Sequence, residues 1–228
     1  MTHFRKLAAT ALLSAGFVAQ ADAALYTDSA AFGAVDEDFD HPYFDGLVVP
    51  PAWPELIGEP SGGLAALSSD IGMTLGAFGV DLNENGTWGA GNRFAGIGDL
   101  VNGTGDFEGS MFLRLWNPES YGVGALFSLY QDVGGTASIT LEAFDSAFGL
   151  LESHSFSINF ADPTLTNAGM FYGIGRAEGD IAAIRISGDG FVFDDLRIAY
   201  SPVPVPAALP LMLGGLGLVG VLRRRTAA

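Results

Sequence analysis

The chain contains no cysteine, which excludes disulfides, thiolate metal sites and thiol nucleophiles together. A domain built this way holds itself by its core, by oligomerisation or by bound ions. Positive charge is also scarce: ten Lys and Arg stand against 26 Asp and Glu, for a formal net charge of −16. Between positions 24 and 201 the basic residues are Arg93, Arg114, Arg176, Arg185 and Arg197, with no lysine, against 25 carboxylates, a net charge of −20. Such a surface repels nucleic acid and anionic head groups, and it favours solubility and divalent cations. The three histidines, His3, His41 and His154, form no recognisable triad or zinc cluster. There is no G-x-S-x-G, no H-E-x-x-H and no phosphate loop. Acid pairs such as Glu37 and Asp40 exist, but among so many acids they select no glycosidase site. The expectation is a protein that is not an enzyme.

What is present begins with two informative ends. Arg5 and Lys6 precede the apolar run Leu7 to Ala19, and Ala21-Asp22-Ala23 then supplies small residues where a signal peptidase reads them. A run of about thirteen residues is too short to span a bilayer, so residues 1–23 read as a helical signal peptide cleaved before Ala24. At the other end, Val203 to Arg225 reads VPVPAALPLMLGGLGLVGVLRRR. Ala207 to Leu222 carries no charge, and at about sixteen residues it spans only marginally unless Val203 to Pro206 contribute. Arg223, Arg224 and Arg225 follow, and clustered positive charge beside an apolar helix stays cytoplasmic. The chain thus divides into a signal peptide (1–23), an exported body (24–201) and a C-terminal segment (202–228) comprising a motif at 203–207, a transmembrane helix at 207–222 and an arginine cluster at 223–225.

This order of motif, apolar helix and arginines resembles the sorting tail of the PEP-CTERM class, in its VPLPA-CTERM variant, with Val205 where that variant usually has leucine. The resemblance covers about the last 26 residues. It implies recognition by an exosortase-like transpeptidase of Gram-negative bacteria that make exopolysaccharide, acting near Val203, Pro204, Val205, Pro206 and Ala207 with Arg223 to Arg225 holding the tail. The implied itinerary is the inner membrane, transiently, and then the cell surface or the medium. A plain membrane anchor is the alternative.

The body, about 178 residues, suffices for one domain with a full core. From Ser110 onward the pattern is β throughout. Met111, Leu113 and Leu115 alternate with Phe112, Arg114 and Trp116; Val123 to Tyr130 is an apolar run; Ile139, Leu141 and Ala143, then Phe156, Ile158 and Phe160, alternate with polar residues. Phe171 to Ile174, the Ala182, Ile184 and Ile186 parity, and Phe191 to Tyr200 complete seven predicted strands. Asn117-Pro118, Gly134-Gly135, Ser146 to Gly149, Asp162-Pro163, Arg176 to Asp180 and Gly188 to Gly190 supply turns. Earlier, 34–40 and 73–82 read as strands, with a short one around 93–97. Residues 41–63, with five prolines, read as a long connection. The fold class is all-β, an antiparallel β-sandwich.

The succession YGVGALFSLY, GTASITLEAFDSAFGLLESHSFSI and IAAIRISGDGFVFDDLRIAY loosely resembles ectodomains attached to such tails, whose jelly roll is like that of carbohydrate-binding modules. In such jelly rolls a structural calcium bridges acids of the first and last strands. The resemblance therefore implies a calcium set drawn from Glu37, Asp38 and Asp40 on one side and Asp194 and Asp195 on the other. Asp194 falls on the parity of Val192, Leu196 and Ile198, and a buried carboxylate must be paired, hydrogen-bonded or bound to a cation. An arginine or backbone N–H groups satisfy that requirement as well as calcium does.

Asp81, Asn83 and Asn85 with Gly86 match the opening of a calcium loop, but Asn92 stands where a bidentate glutamate belongs, and a turn on Asn85-Gly86 explains the same residues. Among the aromatics, Trp53, Trp88, Trp116, Tyr121 and Tyr172 are candidates to stack on apolar sugar faces, either so or as rim and core residues. Trp88 in NGTWGAGN and Trp116 beside Asn117-Pro118 are the leading two. The functional expectation is an exported structural or adhesive protein among exopolysaccharides or biofilm matrix. The alternative is a calcium-dependent carbohydrate-binding module, and a hydrolase is the least favoured reading. The partners implied are signal peptidase, an exosortase-like enzyme, the membrane and a polysaccharide, with no nucleic acid.

Overall fold

The structure is a computed structural model that describes residues 24–39, 44, 46–58, 64–78, 93–98, 107–117, 119–129, 136–159 and 169–202. The expected signal helix and transmembrane segment, the sorting motif, Ala21, Ala23, Asp40, the Asp81 loop and Trp88 lie outside these residues. Among the described residues, no helix is long and apolar enough to cross a membrane.

The strands are β1 (Ala24–Tyr26), β2 (Leu47–Val49), β3 (Glu55–Ile57), β4 (Ala65–Ser69), β5 (Met73–Phe78), β6 (Arg93–Ile97), β7 (Glu108–Leu115), β8 (Gly122–Leu129), β9 (Thr136–Phe144), β10 (Leu150–Asn159), β11 (Met170–Gly175), β12 (Ala183–Asp189) and β13 (Phe191–Ala199). One turn of 3-10 helix, Ser29–Ala31, is capped by the Asp28 carboxylate, which accepts the Ala30 N–H at 2.9 Å. The strands form two antiparallel sheets: seven strands in the order β1-β11-β8-β13-β6-β5-β2, and six in the order β10-β9-β12-β7-β4-β3.

The seven strands expected beyond Ser110 are β7 to β13. Their alternation is what buries one face: in β9, Ala137, Ile139, Leu141 and Ala143 are buried while Thr136 and Ser138 are exposed. The residues expected to form a long connection instead contain β2 and β3. Each is three residues long, lies between prolines and sits at a sheet edge, where proline's missing N–H costs no ladder bond. The expected strand at 34–40 reduces to a bridge of Glu37 to Leu196, and β1 and β4 carried too short a pattern to be read.

The core lies between the sheets. Leu67, Met111, Leu113, Ile139, Leu141, Ile184 and Ile186 from the six-stranded sheet meet Leu75, Ile97, Phe127, Leu129, Phe191 and Phe193 from the other. An aromatic series runs through it: Phe39 to Phe193 at 5.5 Å between ring centroids, Phe193 to Phe127 at 6.1 Å, Phe127 to Phe156 at 5.3 Å, and Phe156 stacked on Tyr172 at 3.6 Å. Tyr172, a candidate for sugar stacking, is therefore a core residue, and burial raises its pKa.

A second apolar cluster explains why β8 is buried on both faces. On the outer side of the seven-stranded sheet, Tyr26, Phe32, Phe171 and Ala199 pack together. Gly124 and Gly173, paired across β8 and β11, make room for the rings of this cluster. A Cβ on Gly173 would lie 2.8 Å from Phe32 Cζ, and one on Gly124 would run into Phe171 Cζ.

The last strand departs from its sequence reading. Register shifts between Asp194 and Arg197, and Asp195 takes a left-handed φ of 51°, so the strand carries a β-bulge. The extra residue switches parity. Phe191 and Phe193 before the bulge, and Leu196 and Ile198 after it, face the core, so Asp194 does not share a face with Leu196 and Ile198. Beyond the bulge β6 no longer pairs with β13, and residues 36–37 take its place. Asp36 N–H donates to Leu196 O at 2.8 Å, and Ile198 N–H donates to Asp36 Oδ2 at 2.7 Å.

Candidate functional site

The outward face of the six-stranded sheet is organised by register. One row crosses it as Leu150, Phe144, Ala183, Arg114, Ala66 and Leu56, each paired with the next. Beside it runs Ser153, Glu142, Arg185, Phe112 and Ser68, and then Ser155, Thr140, Ser187 and Ser110. The third row is all hydroxyl, with Thr140 Oγ1 and Ser155 Oγ 2.9 Å apart. The first two mix aromatic rings with cations. Arg185 lies 5.6 Å from the Phe144 centroid and donates from Nε to Glu142 Oε2 at 2.6 Å.

At one end of this face the turn after β9 folds back over β7. Asp145 builds that turn: its Oδ1 accepts the N–H groups of Ala147 at 2.8 Å and Gly149 at 2.7 Å, and its carbonyl accepts that of Phe148 at 3.0 Å. Phe148 is held at φ 63°, a left-handed conformation that costs a bulky residue about 1–2 kcal/mol. The strained backbone carries a ring that is 53% exposed, lies 5.9 Å from Phe112 and has the Arg114 guanidinium carbon 5.7 Å from its centroid. Trp116, where β7 ends, is also 53% exposed, with its backbone N–H donating to Leu64 O at 3.2 Å. Both rings line a groove of about 200 Å³, together with Arg114, Leu115, Asp145, Ser146, Ala182 and Ala183. That is below the roughly 300–1,000 Å³ of sites that engulf a small molecule, and suits one ring of a longer chain. Two exposed aromatics, a guanidinium, a hydroxyl and a carboxylate at one groove can pack an apolar ring face and hydrogen-bond its substituents.

The other sequence candidates are dispersed. Glu37 is 2% exposed, and its oxygens are taken by the backbone: Oε1 accepts Phe39 N–H at 2.8 Å and Oε2 accepts Gly58 N–H at 2.7 Å. Asp194 is 3% exposed on β13; Asp195 sits in the bulge with Oδ2 3.7 Å from Arg197 Nη2. The first acidic segment and the last strand do lie side by side, as the calcium reading required, but hydrogen bonds join them. Among the described residues no three His, Cys, Asp or Glu converge as a metal site. Trp53 is 67% exposed in the turn between β2 and β3, and Tyr121 packs against the outer aromatic cluster.

Sequence reasoning named Trp116 and missed Phe148, Asp145 and Arg114 as its neighbours. The available signal was the pair Asp145 and Gly149 bracketing a tight turn with a phenylalanine inside it. A second concavity of about 500 Å³ lies between Ala30–Asp36 and Ile198–Ser201. Burial there raises the Asp36 pKa against the opposing effects of the Ile198 N–H and Arg197. It lacks the paired exposed rings.

No family model matches the chain, and no curated protein matches it in sequence. Solved structures similar to it include the CBM32 of AlyQ in complex with 4,5-unsaturated mannuronic acid, at 14% identity and TM-score 0.34 over 60% of this chain and 96% of that one. A non-crystalline cellulose-specific CBM28 gives 15% and 0.31 over 47% and 75%. TmCBM61 in complex with beta-1,4-galactotriose gives 16% and 0.29 over 58% and 85%. Scores this low carry no argument about ligand or mechanism.

Proposed function

We propose that this chain is an exported polysaccharide-binding protein, a β-sandwich that works among extracellular glycans and engages them through the outer face of its six-stranded sheet. The observation that carries this reading is the groove lined by Trp116 and Phe148, where a strained turn spends stability to hold one of the two aromatic rings in solvent. Sugars present apolar ring faces and hydroxyl edges, and exposed aromatics beside a guanidinium and a carboxylate complement both. The role is binding, not catalysis. The address belongs to the same proposal: a signal peptide ending before Ala24, and an exosortase-like processing step at Val203 to Ala207 that delivers the body to the surface or the medium.

Affinity electrophoresis of the wild-type chain and Trp116→Ala in gels containing a panel of neutral and acidic polysaccharides tests the binding. Retardation by at least one polymer that disappears in the variant is expected; equal mobility in every gel would remove the reading. Serine in place of Arg223 to Arg225 tests the address, with loss of processing and mislocalisation as the expected result.

A further inference from the structure

Resting on that reading, we infer that the groove is built for a hexuronic acid unit of the polysaccharide, with Arg114 as the residue that reads the sugar carboxylate. The body has few arginines and many acids, and the other arginines are largely engaged. Arg176 donates to Asp180 at 2.6 and 3.0 Å, Arg185 to Glu142 at 2.6 Å, and Arg197 lies 3.7 Å from Asp195. Arg114 differs. It is exposed, it lies against the Phe148 ring, and no carboxylate among the described residues pairs with it. In a segment with five carboxylates per arginine, a cation with no ion-pair partner among the described residues and set against an aromatic ring is available for an anion from outside.

The geometry selects the kind of anion. A guanidinium offers a planar fork of N–H donors that matches a carboxylate bidentately, and the Arg114 guanidinium carbon lies over the Phe148 ring, 5.7 Å from its centroid. Trp116, which lines the same groove, supplies an apolar surface for the face of the pyranose that bears the carboxylate, and Ser146 supplies a hydroxyl for the ring substituents. Asp145, the one acid lining the groove, has Oδ1 bound by two backbone N–H groups, so its charge is partly dispersed into the turn. The negative charge of the body acts weakly at this range, because at physiological ionic strength charges are screened beyond about 8 Å. Recognition therefore rests on one local contact and not on a basic surface.

The test uses the full chain in detergent, alginate and polygalacturonate as probes, and the same polymers after chemical reduction of their carboxyl groups. Wild type should bind the native polyuronates at least tenfold more tightly than the reduced ones, and Arg114→Gln should abolish that difference while its melting curve stays unchanged. Equal binding of native and reduced polymers by wild type, unaffected by Arg114→Gln but lost in Trp116→Ala, overturns the uronate assignment and leaves the polysaccharide reading standing. No retention on any native or reduced polymer overturns the uronate assignment, and equal mobility across the whole panel of neutral and acidic polysaccharides overturns both.

Discussion

Arg114 lies across the ring of Phe148, its guanidinium carbon 5.7 Å from the centroid, and so joins the C-terminal end of β7 to the turn that follows β9. Two segments some thirty residues apart in sequence come together at a groove that Trp116 also lines. The contact relies on a backbone conformation that phenylalanine adopts at a cost, which separates what the turn does for stability from what it does for binding.

Replacing Trp116 by alanine should weaken polysaccharide binding at least tenfold and leave the fold intact. The ring is more than half exposed, so little burial is lost, and surface substitutions of this kind fall within about 0.5 kcal/mol. Isothermal titration and thermal melting on the same preparation measure the two quantities. A melting temperature that falls in step with affinity would make Trp116 a structural residue.

Phe148→Asn tests the strained turn. Asparagine tolerates a left-handed φ, so relief of about 1 kcal/mol of backbone strain offsets the lost contacts with Phe112 and Arg114, and stability should change little. Binding should drop to the Trp116→Ala level. If Phe148→Asn melts several degrees lower with binding unchanged, the ring serves packing alone.

The outer aromatic cluster makes a separate prediction about stability. Gly173→Ala puts a Cβ 2.8 Å from Phe32 Cζ and 3.0 Å from Gly124 Cα. Overpacking of this kind costs about 1–3 kcal/mol, and about 2–4 °C of melting temperature per kcal/mol at this domain size. Phe32→Leu in the same chain should recover part of the loss by freeing the ring edge, since the clash with Gly124 remains.

Much of this fold was legible from period alone. β7 and β9 alternate cleanly, so Met111 to Leu115 and Ile139 to Ala143 announce their buried face, while β8 and β11 show as apolar runs. The last strand misled because a bulge at Asp194 and Asp195 adds one residue to the parity count, and nothing in FVFDDLRIAY marks it: the left-handed residue is Asp195, where a glycine would have given warning. Of the site, Trp116 was legible as an aromatic at a strand end. Arg114 was read only as the outward residue of its strand, and Phe148 only as part of a turn, because their meeting depends on how the 145–149 segment folds back over a neighbouring strand. Of the calcium set, Asp40 lies outside the described residues, and Glu37 lies beside β13 with its two oxygens accepting the Phe39 and Gly58 N–H groups.

That outcome makes Glu37 a test of calcium at this place. Glu37→Gln keeps one oxygen acceptor and replaces the other with a donor, which leaves either the Phe39 or the Gly58 N–H without its partner. The cost of an unsatisfied buried donor is about 1–3 kcal/mol. It should be the same in EDTA and in millimolar calcium. A loss of stability that appears only with calcium present would identify Glu37 as a metal ligand.

Asp36 gives the pH dependence. Burial raises its pKa above the ordinary aspartate value of 3.8, outweighing the Ile198 N–H and Arg197. A carboxyl whose folded pKa lies above its unfolded one is held more tightly as the neutral acid in the fold. Ionisation therefore opposes folding: the penalty is absent below the unfolded value, grows as pH rises between the two values, and is complete above the folded one. Asp36→Asn keeps an oxygen to accept the Ile198 N–H and removes the ionisation. Urea melts across acidic pH should show the variant gaining stability relative to wild type as pH rises from below 3.8 towards neutrality, with a constant difference thereafter. The opposite trend, the variant losing ground as pH rises, would mean that the attraction of Arg197 outweighs burial and that Asp36 joins its segment to β13 as an ion.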